Sequence, residues 1–156
     1  MGKFKQGAFT PRNPDKCMNK SAPRYRSSWE LVFMQMCDNH PHIVQWGSEV
    51  VKIPYVNPLT GKGTVYVPDF IIVYLDKNGK NHAELIEVKP KAQTMAEHAK
   101  SKKDMLHAAV NKAKWLAAYA WSQKKGLKFR IITEDEIFMK PPRKPKPKLK
   151  PRRPKR

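Results

Sequence analysis

The chain has little cysteine, little acid and no long apolar run. Cys17 and Cys37 are its only cysteines in 156 residues. Two are too few for a disulfide framework, and point to the reducing interior of a cell, the cytosol. No apolar run approaches the roughly 18 residues needed to span a bilayer. The basic segment MGKFKQGAFTPRNPDK lacks the apolar centre of a secretory signal. No G-x-x-x-x-G-K-[ST] loop is present, which speaks against an ATPase. Internal repeats are lacking. Acid is scarce: 13 Asp+Glu stand against 32 Lys+Arg, a formal net charge of +19. Such an excess opposes compaction by self-repulsion and calls for a polyanionic partner. Nucleic acid is the leading candidate, ahead of an acidic membrane.

What is there falls into three parts. In residues 140–156, KPPRKPKPKLKPRRPKR, every residue but Leu149 is Pro, Lys or Arg, with ten cations. Such a segment cannot build a core and is expected to be extended or disordered. Without it the remainder is still about +9. Residues 1–26 read as a basic N-terminal arm with little periodicity, and residues 27–139 as one domain. The domain reads α–β–β–β–α–β. SSWELVFMQMCDNH is a helix with Ser27 as N-cap, stopped at His40 by Pro41. EVVKIPYV and TVYVPDFIIVYL are strands joined by a Pro/Gly turn, and Asn78-Gly79 turns the second into HAELIEVK. Ala96 to Lys125 is a long helix. Its apolar stripe is expected to be Leu106, Ala109, Val110, Ala113, Leu116, Ala117 and Ala120, with Gly126 as C-cap. LKFRIIT is the last strand.

The stretch ELIEVKP carries an anomaly. Leu85, Ile86 and Val88 suit a buried strand, yet Glu87 and Lys89 share one of its faces. Ionised groups there are costly unless paired or metal-bound. Asp69 lies 18 positions before Glu87, and the intervening hairpin lets both acids reach one end of the sheet. Phosphodiester cleavage explains the set. Two adjacent carboxylates repel, and a hard divalent cation relieves that repulsion. Mg²⁺ takes few protein carboxylates, keeps several waters and binds phosphate oxygens. It polarises the phosphate and activates a water. Lys89 would supply a compact positive charge for the phosphate or the attacking water. The plainer alternative is a cross-strand ion pair on a solvated sheet face. Glu30 is the third acid, on the helix face of Phe33, Met34 and Cys37. Ser27-Ser28-Trp29-Glu30 is also a capping box, in which Glu30 merely satisfies the helix start.

The order helix acid, Asp, Glu-x-Lys matches the PD-(D/E)XK nuclease pattern. GAFTPRNPDK, YRSSWELVFM, QWGSEVVKIPY, YVPDF and IEVKP resemble the head completion nucleases of tailed bacteriophages. A weaker likeness extends to transposase-subunit endonucleases and phage junction resolvases. The resemblance covers about residues 1–95. It implies an α/β (α+β) fold with a restriction-endonuclease-like αβββαβ core, a mixed sheet flanked by helices. It implies a DNase that uses Mg²⁺, with Mn²⁺ as a substitute, and a site of Glu30, Asp69, Glu87 and Lys89, with Asp69 and Glu87 on the metal. Its partners would be double-stranded DNA and phage head, portal-vertex or neck proteins, with no membrane. It would act in the host cytoplasm or on the virion, processing packaged DNA so that head and tail join. The alternative is a non-catalytic DNA-binding connector or plug on the same fold.

Other features have plainer readings. Glu49, in WGSEVV, reads as an exposed strand residue, although the resemblance sets it near the site. Gln93 follows the Lys89 strand as a minor DNA-contact candidate. Cys37, His40 and His42, with Cys17, lack the paired ligand spacing of structural zinc, and Cys37 reads as core. Trp115, Tyr119 and Trp121 with Lys112, Lys114, Lys124 and Lys125 suggest a basic-aromatic DNA surface, or packing aromatics beside solvated lysines.

Overall fold

A computed structural model of the chain describes residues 6–89 and 101–133. Helix α1, Ser28–Asn39, begins where Ser27 turns extended and its hydroxyl accepts the Glu30 N–H. It ends at His40, whose extended backbone is what the following Pro41 imposes. Strand β3, Ile43–Ser48, follows directly. It pairs antiparallel with β6, Phe70–Leu75, which pairs antiparallel with β7, Asn81–Val88. Strand β8, Lys128–Ile132, lies parallel to β7. The four-stranded mixed sheet thus has the order β3-β6-β7-β8. A parallel neighbour needs a long crossover, and helix α2, Lys102–Lys125, supplies it. Ser101 caps its start, and Gly126 ends it in the left-handed conformation at φ 71°. The αβββαβ core is therefore α1, β3, β6, β7, α2 and β8.

Alternation along the central strands divides the core between two faces. On one, Phe70, Ile72, Ile86, Trp46 and Ile132 meet Phe33, Met34 and Cys37 of α1. The Phe33 and Phe70 rings stand 4.6 Å apart between centroids. On the other, Leu85 and Ile71 meet Ala118, Trp115 and Trp121 of α2, together with Ile53 and Tyr66. Each large apolar side chain so buried contributes about 1.5–3 kcal/mol.

Three features differ from the sequence reading. First, the strand beside β6 is IVQWGS, which the sequence pattern conceals. Its register shifts between Ile43 and Gln45, and Gly47 weakens any strand signal. Gly47 is there because the N-terminal segment crosses close by: an added Cβ would lie 3.2 Å from Met18 Cβ and 2.8 Å from a Val50 methyl. Second, TVYVPDFIIVYL is not one strand. Proline cannot donate to a ladder, and the chain breaks at Val67-Pro68-Asp69. The first piece, β5 (Gly63–Tyr66), leaves the sheet and pairs with β4 (Ile53–Val56) as a separate two-stranded ribbon. Third, the buried face of α2 is rotated from the expected stripe, of which Val110, Ala113 and Ala117 stay half-buried. Leu106 and Leu116 are exposed, with Ala109 and Ala120, while Ala118 and Ser122 are buried. The indole-bearing side of α2 outweighs the Leu/Ala stripe because Trp115 and Trp121 bury more surface.

Residues 6–26 are folded onto the domain. Strand β1 (Gly7–Ala8) pairs with β2 (Arg24–Tyr25), and Phe9 joins the core edge-on to Trp46. Buried Asp38 accepts the backbone N–H groups of Arg12 at 2.8 Å and Asn13 at 3.1 Å, and Lys16 donates to the Asp38 and His40 carbonyls. Among the described residues, no helix is long and apolar enough to cross a membrane. Residues 96–100 of the expected long helix, Gln93 and residues 140–156 lie outside the described residues.

Candidate active site

The register of the sheet builds the site. Phe70 pairs with Ile86 and with Ser48, so one step further Asp69 stands between Glu87 and Glu49, across three strand ends. Two hydrogen bonds hold this row. The Val88 N–H donates to Asp69 Oδ2 at 2.8 Å, and the Glu49 N–H donates to the Asp69 carbonyl at 3.0 Å. Pro68, fully buried, ends the ladder here, so the Asp69 side chain takes an N–H that a strand carbonyl would otherwise accept. Asp69 thus sits at the mouth of β6 rather than inside a strand.

Glu87 is buried, 6% exposed, and both its oxygens are engaged. The Tyr66 hydroxyl donates to Oε2 at 2.6 Å, and Lys89 Nζ lies 3.7 Å from Oε1. Tyr66 comes from the ribbon, so the break at Pro68 also brings a phenol to the site. Burial and the neighbouring Glu87 charge push the Asp69 carboxyl well above the ordinary aspartate value, while the Val88 N–H and Lys89 oppose that rise. Burial raises Glu87 too, against the Tyr66 hydrogen bond and the charges of Lys89 and Lys114. Burial and the adjacent Glu87 push the Tyr66 hydroxyl far up, so it stays protonated and remains a donor. Two carboxylates raised by confinement are a set that gains from a cation.

Glu30 lies at the start of α1. Its N–H donates to the Ser27 hydroxyl at 3.2 Å, and that hydroxyl donates to Glu30 Oε2 at 3.1 Å. The helix start therefore does hold Glu30, through the Ser27 side chain. Its charge nonetheless reaches the site. Its carboxyl is raised, chiefly by burial and also by Glu49, and its charge in turn helps to raise Asp69. All four expected residues thus gather at one end of the sheet. Glu49, which read as an exposed strand residue, is exposed but lies past the strand end at φ 55°. A left-handed residue turns the chain out of the sheet, and Arg26 clasps its carboxylate at 3.0 and 3.3 Å. Sequence reasoning missed Tyr66, Arg26 and the placement of Lys114. The aromatic in VYVPD was the only signal for the first.

The donor set suits a hard divalent ion. Among the described residues, no three His, Cys, Asp or Glu side chains gather as a ready-made metal cage. Mg²⁺ does not need one, since it binds through one or two carboxylates and keeps its waters. The zinc cluster does not form among the described residues. Cys37 is core, its thiol raised by burial, and His40 Nδ1 accepts the His42 N–H. On α2, Trp115 and Trp121 are half-buried packing residues and Tyr119 is exposed.

An αβββαβ core with Asp and Glu-x-Lys at the adjoining ends of two central strands defines the PD-(D/E)XK class of nuclease. The model of the TnsA-like endonuclease N-terminal family matches residues 40–134, more than half of the chain. The chain is also 35% identical over 144 residues to the head completion nuclease of Enterobacteria phage T4, an alignment covering 84% of this chain and 92% of the relative. The chain belongs to the TnsA-like endonuclease family.

Replacing Glu30 by Gln keeps an acceptor for Ser27 and removes the charge that bears on Asp69. The expected result is near-wild-type thermal stability with strongly reduced metal-dependent cutting. A variant that cuts at the wild-type rate leaves Glu30 as a helix cap and no more.

Proposed function

We propose that the chain is a Mg²⁺-dependent deoxyribonuclease that acts on double-stranded DNA in bacteriophage head completion. The observation that carries this reading is the opposed pair of half-buried Asp69 and buried Glu87, with Lys89 beside it. Asp69 and Glu87 would hold the metal, their carboxylates oriented by the Val88 N–H and the Tyr66 hydroxyl. The bound ion supplies charge for the phosphate and acidity for a water. Lys89 places its ammonium where the cut phosphate or the attacking water enters, and charge neutralisation there lowers the barrier. Glu30 acts through its charge on Asp69. Arg26 and Glu49 close the rim as an exposed pair that solvent screens.

The place in assembly rests on likeness to a relative named for head completion. It would set the chain in the host cytoplasm, processing packaged DNA beside head, portal or neck proteins before the tail joins. The test of the chemistry is incubation of linear and branched duplex DNA with the protein in Mg²⁺, in Mn²⁺ and in EDTA. Cutting that needs the metal is expected. Tight binding with no cutting in either metal points instead to a connector or plug.

The basic segment 140–156 should supply affinity without chemistry. Each phosphate contact contributes a slope of about −0.9 in log K against log salt for duplex DNA. Deleting the ten cations of residues 140–156 is expected to flatten the slope by several units and to spare cleavage at low salt and saturating DNA. Binding titrations across a salt series check this. An unchanged slope assigns the segment to a protein partner.

A further inference from the structure

The second helix brings one more cation to the site. Lys112, Lys124 and Lys125 are exposed, whereas Lys114 is half-buried on the face that packs against the ribbon and sheet. Its Nζ lies 5.8 Å from the centroid of the Tyr66 ring, within cation–π range. The hydroxyl of that same ring is 2.6 Å from Glu87 Oε2. Lys114 thus stands beside Tyr66 and bears on Glu87 from α2, while Lys89, next to the end of β7, bears on both carboxylates. Tyr66 and Lys89 already stand at the two oxygens of Glu87, and Lys114 adds only a charge acting on it, after that of Lys89. A ring face restrains an ammonium without using its three N–H donors. Those donors point to an anion brought from outside.

We propose that Lys114 is a phosphate-binding residue, seated on the Tyr66 ring to take a DNA backbone phosphate flanking the one held at Asp69 and Glu87. The assignment deepens the nuclease reading and rests on it for the identity of the anion. It divides the work between two lysines: Lys89 serves the cut phosphate, and Lys114 fixes the strand beside it. A cation held by an aromatic face is preorganised, so little side-chain entropy is lost when the phosphate arrives. The competing possibility is that the Lys114 stem only covers apolar surface.

Lys114→Met keeps the stem and removes the charge, and Lys114→Arg restores a cation. Equilibrium binding of the full chain to a short duplex is measured in EDTA and in Ca²⁺ across a salt series. The expected result for Lys114→Met is severalfold weaker binding with a salt slope reduced by about one unit, an unchanged melting temperature, and rescue by Arg. Lys112→Met, on the exposed side, should change binding much less. Wild-type affinity and slope in Lys114→Met overturn the proposal, as does an equal loss in Lys112→Met, which would make Lys114 one charge among many. Normal binding with slow cutting also overturns it, and makes Lys114 a positioning residue for Glu87. The readout needs no turnover. A wild-type protein that binds but never cuts therefore sinks the nuclease reading and leaves this test intact.

Discussion

Asp69→Ala and Lys89→Ala are each expected to abolish metal-dependent cutting, by separable routes. Asp69 is the side chain that the Val88 N–H orients toward Glu87. Without it one carboxylate of the proposed pair remains, and a Mg²⁺ held there would lose half of its protein ligands. If the ion supplies several kcal/mol to the transition state, the rate falls by about a thousandfold or more, since each 1.36 kcal/mol is tenfold. Mg²⁺ should then no longer raise the melting temperature of the variant. Lys89→Ala leaves both carboxylates in place. It removes the ammonium 3.7 Å from Glu87 Oε1, so metal binding should persist or tighten while the rate falls about a hundred- to a thousandfold. Calorimetric Mg²⁺ titration and single-turnover cleavage of the two variants separate these routes. Wild-type rates in both would remove Asp69 and Lys89 from the chemistry.

Stability should fall with rising pH in the absence of metal. In the folded chain the Asp69 carboxyl is pushed up to about 8 by burial and by Glu87. Between the ordinary aspartate value and that one, the folded state keeps a proton that the unfolded state has released. This contribution is fully present below the unfolded pKa and is lost as pH rises through the folded one. Stability in EDTA is therefore expected to fall from about pH 4 to about pH 8, by an amount on the order of a few kcal/mol shared with Glu87, and the melting temperature with it. Mg²⁺ should restore most of the loss at the alkaline end, because a cation replaces the proton between the carboxylates. Asp69→Asn, which retains an acceptor for the Val88 N–H, should flatten the profile. A wild-type profile that is already flat in EDTA would show that the two carboxylates do not confront each other.

The three acids and the lysine of the candidate site were legible as candidates because local rules single them out. A strand with charges two apart, a Pro-Asp before an apolar run and a helix cap each follow from short-range sterics and alternation. The helix start at Ser27, the His40-Pro41 stop, the Gly126 end and the Asn78-Gly79 turn belong to the same class. So does the mixed αβββαβ core, since α2 must cross over to bring β8 parallel to β7. What stayed hidden depends on residues far apart in the chain. IVQWGS is a strand because β6 and the N-terminal segment lie against it, and Gly47 is small because Met18 is close. Residues 6–26 fold onto the body because Asp38 collects their N–H groups. Which side of α2 is buried was settled by the ribbon and sheet it meets, not by its own periodicity. The break at Pro68 shows both sides of the division. Proline cannot donate to a ladder, yet TVYVPDFIIVYL read as one strand; only the tertiary fold carries β5 away to set Tyr66 on Glu87 and Lys114 over Tyr66, because those contacts join segments that no local pattern links.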